Sequence, residues 1–165
     1  YLNGTNYIRN TKLELWYLGY LRADNDLRKY RDAILTSGIN DVILSNKIPS
    51  DFLDKSPLLK RTLDELQKDA YDKRIPIMAL HYFAEMYQVF FGVQHLLKDN
   101  AILLLDLGDS IFNNIHVKTD KILIELFQNM GYILEGEDLL RTRKSRNGDL
   151  LSQVLLKFRY IKHEK

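Results

Sequence analysis

The segment AILLLDL, from Ala101 to Leu107, reads as one apolar run that stops at Gly108-Asp109-Ser110. An apolar run without regular alternation fits a strand buried on both faces, as parallel strands covered by helices are. In open α/β sheets, ligands gather outside the carboxyl ends of such strands. Asp109 and Ser110 are therefore expected to shape a pocket, and an Asx turn is the structural alternative for Asp109. The expected class is α/β.

At 165 residues the chain is long enough for one domain with a core. Its apolar fraction of 45% and the lack of a polar or Gly/Pro-rich tract argue against disorder. A net charge of +2 permits a nucleic-acid partner without requiring one. The absence of cysteine excludes disulfides, thiolate catalysis and cysteine-based zinc sites. His81, His95, His116 and His163 lack metal-binding spacing, so no metal is expected, and His81 is assigned to a helix surface. Apolar runs are too short or interrupted for a membrane span, and no signal peptide opens the chain. A cytoplasmic location is the default. The first residue is Tyr1 rather than methionine, which fits either a mature cleavage product or a fragment lacking its upstream part.

Residues 1–10 read as a loop. Thr11, with Glu14 three residues on, makes a capping-box pattern. Leu13, Trp16, Tyr17, Tyr20 and Leu21 then follow at helical spacing. After a break at 24–26, Leu27, Tyr30 and Ile34 continue the helix to Gly38. Residues 39–57 are irregular. Ser56-Pro57 marks the start of an amphipathic helix carrying Leu59, Leu63 and Leu66. From Pro76, the residues Ala79, Phe83, Met86, Phe90, Val93 and Leu97 form one clean stripe. After the apolar strand, Thr119 and Asp120 cap a helix that Gly131 terminates. Tyr132–Leu140 reads as a strand with a weak spot at Gly136, and 141–149 as a hairpin loop. Val154, Leu156, Phe158 and Tyr160 alternate as a closing strand.

This order resembles the second half of a class I S-adenosylmethionine-dependent methyltransferase, in particular one acting on exocyclic amines of DNA bases. HYFAEMYQVFFGVQHLLKDNAILLLDLGDS resembles the family's helix and fifth strand. VKTDKILIELFQNMGYILE resembles the next helix and strand, and SQVLLKFRY the last. YLNGTNYIRNTKLELW looks like the aromatic end of the family's Asp/Asn/Ser-Pro-Pro-aromatic tetrapeptide and its continuation. The first three tetrapeptide positions, the glycine-rich cofactor loop and its acidic ribose partner are absent.

The resemblance implies a partial Rossmann-like sheet, a parallel strand plus an antiparallel C-terminal hairpin, with a helix-rich N-terminal half. Residues 1–165 would form one partial domain, with 22–73 a variable helical insertion. It implies methyl transfer from S-adenosylmethionine to adenine or cytosine in DNA, with the target base flipped out and stacked. Tyr1 would be the catalytic stacking residue, and Asn3, Thr5, Asn6 and Tyr7 the pocket rim. Arg9, Lys12, Arg141, Arg143, Lys144 and Arg146 would contact nucleic acid, the last four as a basic hairpin tip. The main cofactor loop lies outside this chain, so the fragment alone is expected to be inactive, and the missing N-terminal half is an implied partner. An RNA base methyltransferase and a non-catalytic helical interaction module are the alternatives.

Overall fold

The computed structural model describes residues 1–2, 7–23, 25–42, 47–145 and 147–162, without the Tyr7 side chain. Asn3, Thr5, Asn6, Arg146 and His163 lie outside the described residues.

The helical half begins with α1 (Tyr7–Asn10), α2 (Lys12–Tyr17) and α3 (Asp26–Ala33). Thr11 stands at the N-cap of α2 but makes no side-chain cap bond, so the expected capping box does not form. The expected apolar face of α2 is not buried: Trp16 is 66% exposed and Tyr17 84%. α3 stops short of Gly38. Its C-cap Ile34 is already extended. The chain then docks on the next helical layer, where the Thr36 backbone N–H and hydroxyl donate to the Glu85 carboxylate at 2.5 and 2.9 Å.

The Ser56-Pro57 start is observed. In α4 (Pro57–Asp69) the Ser56 hydroxyl oxygen accepts the Leu59 N–H at 3.1 Å. The same hydroxyl donates to Glu125 at 2.6 Å, and Glu125 also accepts the Leu58 N–H at 3.1 Å. A distant carboxylate thus completes the cap and ties two helices together. α5 (Arg74–Val93) is the longest helix, with Pro76 in its first turn, where a missing N–H costs nothing. His81 is buried on α5 rather than on its surface, and its Nδ1 has no hydrogen-bond partner among the described residues. Half of its residues are buried, while Ile77, Val89 and Phe91 remain exposed.

β1 (Ile102–Gly108) follows. The sequence missed a small hairpin, β2 (Ser110–Phe112) with β3 (Ile115–Val117). Its two turn residues, Asn113 and Asn114, have φ of 50° and 63°, the left-handed pair that a two-residue type I′ turn needs. α6 (Thr119–Gln128) leads through Gly131, at φ 83°, into β4 (Tyr132–Lys144), and β5 (Leu150–Tyr160) closes the chain. β4 runs to Lys144 and β5 starts at Leu150, so the expected long loop shrinks to a tight tip. Arg141, Arg143 and Lys144 therefore sit on a strand.

The fold is mixed α/β, but its main sheet is antiparallel. The order is β1-β5-β4, and both pairings are antiparallel. No parallel pair exists among the described residues, which corrects the expected parallel strand. β1 and β4 run in the same direction on either side of β5. Two irregularities, at Leu134/Gly136 and Leu139/Arg141, interrupt β4, whereas β1 pairs without a break.

Among the described residues, helices cover only one face of the sheet. Leu103, Leu105 and Leu107 alternate inward toward α5 and α6, along with Val154, Leu156, Phe158 and Tyr160. On the other face Ile102 is 44% exposed and Leu104 58%. β1 is thus not buried on both faces. Here Glu135 bridges Lys157 at 3.1 Å and bonds Arg159. Beneath the inner face the rings converge. Phe127 lies 4.5 Å from Phe90, 5.3 Å from Phe158 and 5.4 Å from Tyr132 between ring centroids.

Two outcomes follow from these contacts. Ser56→Ala removes the cap and strands the Glu125 carboxylate, and it is expected to cost about 1–2 kcal/mol in urea unfolding. Asp26 accepts the Arg22 and Ala23 N–H groups at 2.9 and 3.0 Å and Lys29 at 3.0 Å. Chiefly the Arg22 bond, then Lys29, pushes its pKa from 3.8 down to about 2. A depressed carboxylate contributes stability above its unfolded pKa and loses it on acidification. The Arg22 and Ala23 amide NMR signals should therefore shift as pH falls from about 4 toward about 2. Asp26→Asn should abolish that titration.

Candidate functional site

The carboxyl end of β1 gathers most of the predicted residues that the structure describes. Leu2 is buried, and its carbonyl accepts the Ser110 hydroxyl at 2.6 Å. This bond fixes the first residues across the end of the strand. Tyr1 then lies over Gly108: a Cβ on that glycine would stand 3.4 Å from the Tyr1 ring. Glycine allows the close approach, although alanine would still meet the ring at ordinary contact distance. Tyr1 remains 51% exposed, so part of its ring is open to a ligand. Burial pushes the Tyr82 phenol above its ordinary range, and Tyr1 adds to that shift.

A polar chain supports this end on the outer face. Gln153 donates from Nε2 to both Asp106 oxygens at 2.6 and 2.8 Å and to the Tyr1 hydroxyl at 3.4 Å. Its Oε1 accepts the Arg141 Nε–H at 2.6 Å. Arg143 donates to the Asp109 carbonyl at 3.5 Å. Tyr1, Asp109, Ser110, Arg141 and Arg143 are therefore brought to one end of the sheet. Lys144 is exposed at the end of β4, opposite Leu150.

Other predicted residues lie apart. Lys12 borders a separate groove with Trp16 on α2. Arg9 is exposed on α1, and Tyr7 shares that helix. Asn3, Thr5, Asn6 and Arg146 fall outside the described residues, so the rim and the fourth cation carry no geometry.

Sequence reasoning missed a second feature beside Asp109. The Asp109 carboxylate is buried and meets His116 Nε2 at 2.9 Å. Asp109 stands just before β2 and His116 lies within β3, so the hairpin folds a seven-residue separation into contact. The signal was the Asn113-Asn114 turn, once read as a two-residue hairpin. This pair opens on a cleft of about 490 Å³ also lined by Lys118, Asp120, Lys121 and Glu137. Lys121 binds both Glu137 oxygens at 2.6 Å and lies 3.4 Å from Asp120. These contacts, Glu137 foremost, raise the Lys121 pKa. An imidazole oriented by a buried carboxylate is able to hold or pass a proton. Among the described residues no group of three or more His, Asp or Glu side chains is arranged to hold a metal ion.

No protein-family model matches the chain, and no curated protein or solved structure shows significant similarity to it.

Removing one member of the Asp109–His116 pair separates its two roles. His116→Ala leaves a buried carboxylate without its side-chain partner and is expected to cost about 1–3 kcal/mol in denaturant unfolding. Asp109→Asn keeps a hydrogen-bonding amide there and should cost clearly less. Equal losses would show that packing, not pairing, sets the energy.

Proposed function

We propose that this chain is the trailing part of an S-adenosylmethionine-dependent methyltransferase that modifies an exocyclic amine of adenine or cytosine in DNA. The order β1-β5-β4 carries this reading, with β5 antiparallel between two strands of common direction. The resembled fold has a strand inserted in this sense at the edge of its sheet. The position of Tyr1 across the carboxyl end of β1 agrees with the aromatic end of the tetrapeptide. Among the described residues, the exposed outer face of β1 and its lack of a second strand partner favour a piece of a larger sheet over a self-sufficient interaction module.

The described residues do not by themselves make a cofactor site. The Tyr1 ring occupies the space above Gly108, and the Asp109 carboxylate is engaged by His116. What they offer belongs to the target side. Tyr1 presents a partly open ring for stacking a displaced base, worth about 1–3 kcal/mol per base. Gln153 steadies its hydroxyl, and Ser110 holds the backbone behind it. Positioning of this kind lowers the barrier by removing orientational freedom before reaction. Arg143 and Lys144 provide positive charge for phosphates near the same end, whereas Arg141 is already tied to Gln153.

The test is methyl incorporation by the full-length protein carrying this segment, with duplex DNA and structured RNA as parallel substrates. The expected product is N6-methyladenine or N4-methylcytosine in DNA. Tyr1→Ala should lower the rate by about 5- to 150-fold, matching a lost stack, and Tyr1→Phe should retain most of it. Labelling of RNA alone, or of neither polymer, would overturn the proposal.

A further inference from the structure

α2 and the turn after it form an exposed groove that the site at β1 does not use. It measures about 200 Å³ and is lined by Leu13, Trp16, Leu21 and Leu27 together with Lys12 and Arg22. Trp16 is the only tryptophan in the chain and remains largely exposed. Tyr17 and Tyr20 beside it are exposed as well. None of the residues of α2 is buried, so these rings contribute little to the core.

The two charged side chains that line the groove, Lys12 and Arg22, are both positive. The Lys12 ammonium has no partner among the described residues, and Arg22 uses only its Nε, donating to the Gly19 carbonyl at 3.2 Å. Among the described residues, the nearby carboxylates are turned away or engaged. With 3.6 residues per helical turn, Glu14 projects about 160° from Trp16 around α2. Asp26 is spent on the Arg22 and Ala23 amides and on Lys29. Asp24 lies outside the described residues.

We infer that this groove binds a single-stranded stretch of nucleic acid, with an unstacked base on Trp16 and phosphates on Lys12 and Arg22. An open aromatic face flanked by two lining cations is the combination that sequence-tolerant strand binding uses. A second copy of the chain fits less well, because an isologous contact would bring Lys12 and Arg22 toward their own counterparts. A bilayer surface fits less well too, since α2 has only six residues and α3 carries Asp26 and Asp32 among its cations. The inference deepens the DNA reading by adding a strand-holding surface. Its readout is binding at Trp16 rather than methylation, so either reading can fail alone.

The intrinsic fluorescence of Trp16 is the probe, since no other tryptophan contributes. The full chain is titrated with oligothymidylate, oligouridylate, a short duplex, and vesicles of phosphatidylserine and phosphatidylcholine. Quenching by one or both single strands, stronger than by the duplex, is expected, and the two strands distinguish DNA from RNA. With end-labelled oligonucleotide anisotropy as readout, Trp16→Ala should weaken binding about tenfold or more, and Trp16→Phe should recover most of it. Lys12→Ala with Arg22→Ala should flatten the slope of log affinity against log salt by about 1.4, the value for two phosphate contacts on a single strand. Circular dichroism of each variant should be unchanged, because the replaced side chains are not in the core. Emission that ignores both oligonucleotides, responds to vesicles alone, or changes only with protein concentration would overturn the proposal. So would Trp16→Ala with full affinity.

Discussion

Phe127 brings three other elements together around one ring. From α6 its ring meets Phe90 on α5, Tyr132 at the start of β4 and Phe158 near the end of β5. Tyr132 extends the group to Tyr160 at 5.2 Å and donates its hydroxyl to the Phe90 carbonyl at 2.9 Å. Tilted and edge-on ring pairs of this kind add about 0.5–1.5 kcal/mol each beyond the area they bury. All of these residues lie toward the amino end of β1, as the pairing of Ile102 with Arg159 shows. Tyr1, Asp109 and Ser110 gather at the opposite end. The molecule thus concentrates its packing at one end of the sheet and its polar, partly open groups at the other.

That division explains which elements could be read from the sequence. α4, α5, α6 and β5 each place regular apolar residues against the aromatic cluster or its margins, and periodicity found them, while β1 was found only as an apolar run. α2 illustrates the opposite case. Leu13, Trp16 and Tyr17 recur at helical spacing, yet all three stay largely exposed, so their pattern reports a surface instead of a core. β1 misled for a related reason. Its residues are apolar on both sides, but Asp106 interrupts the run on the exposed face and bonds Gln153. That single carboxylate was the available sign that one side meets water. The extent of β4 was hidden because Arg141, Arg143 and Lys144 read as a loop, although charged residues are tolerated on the exposed end of a strand.

The site was legible in part. Asp109 and Ser110 followed from a strand ending at Gly108, and Tyr1 from the resemblance of the opening residues. Gln153, Asp106 and His116 were not found, because their roles depend on register and on a two-residue hairpin. A shift of one residue in the β1–β5 pairing would separate Gln153 from Asp106. Cross-strand contacts of this kind have no local signature. The Asn113-Asn114 turn was the exception, since left-handed asparagines between apolar pairs announce a tight reversal.

The two borders of the main sheet differ in kind. β4 is twice interrupted and ends in cations, features that discourage a further strand from adding to it. β1 pairs without interruption and, among the described residues, has a strand partner on one side only. Such a border is adhesive toward any extended polypeptide. Any segment that covers this border would complete a ladder whose other side β5 already supplies.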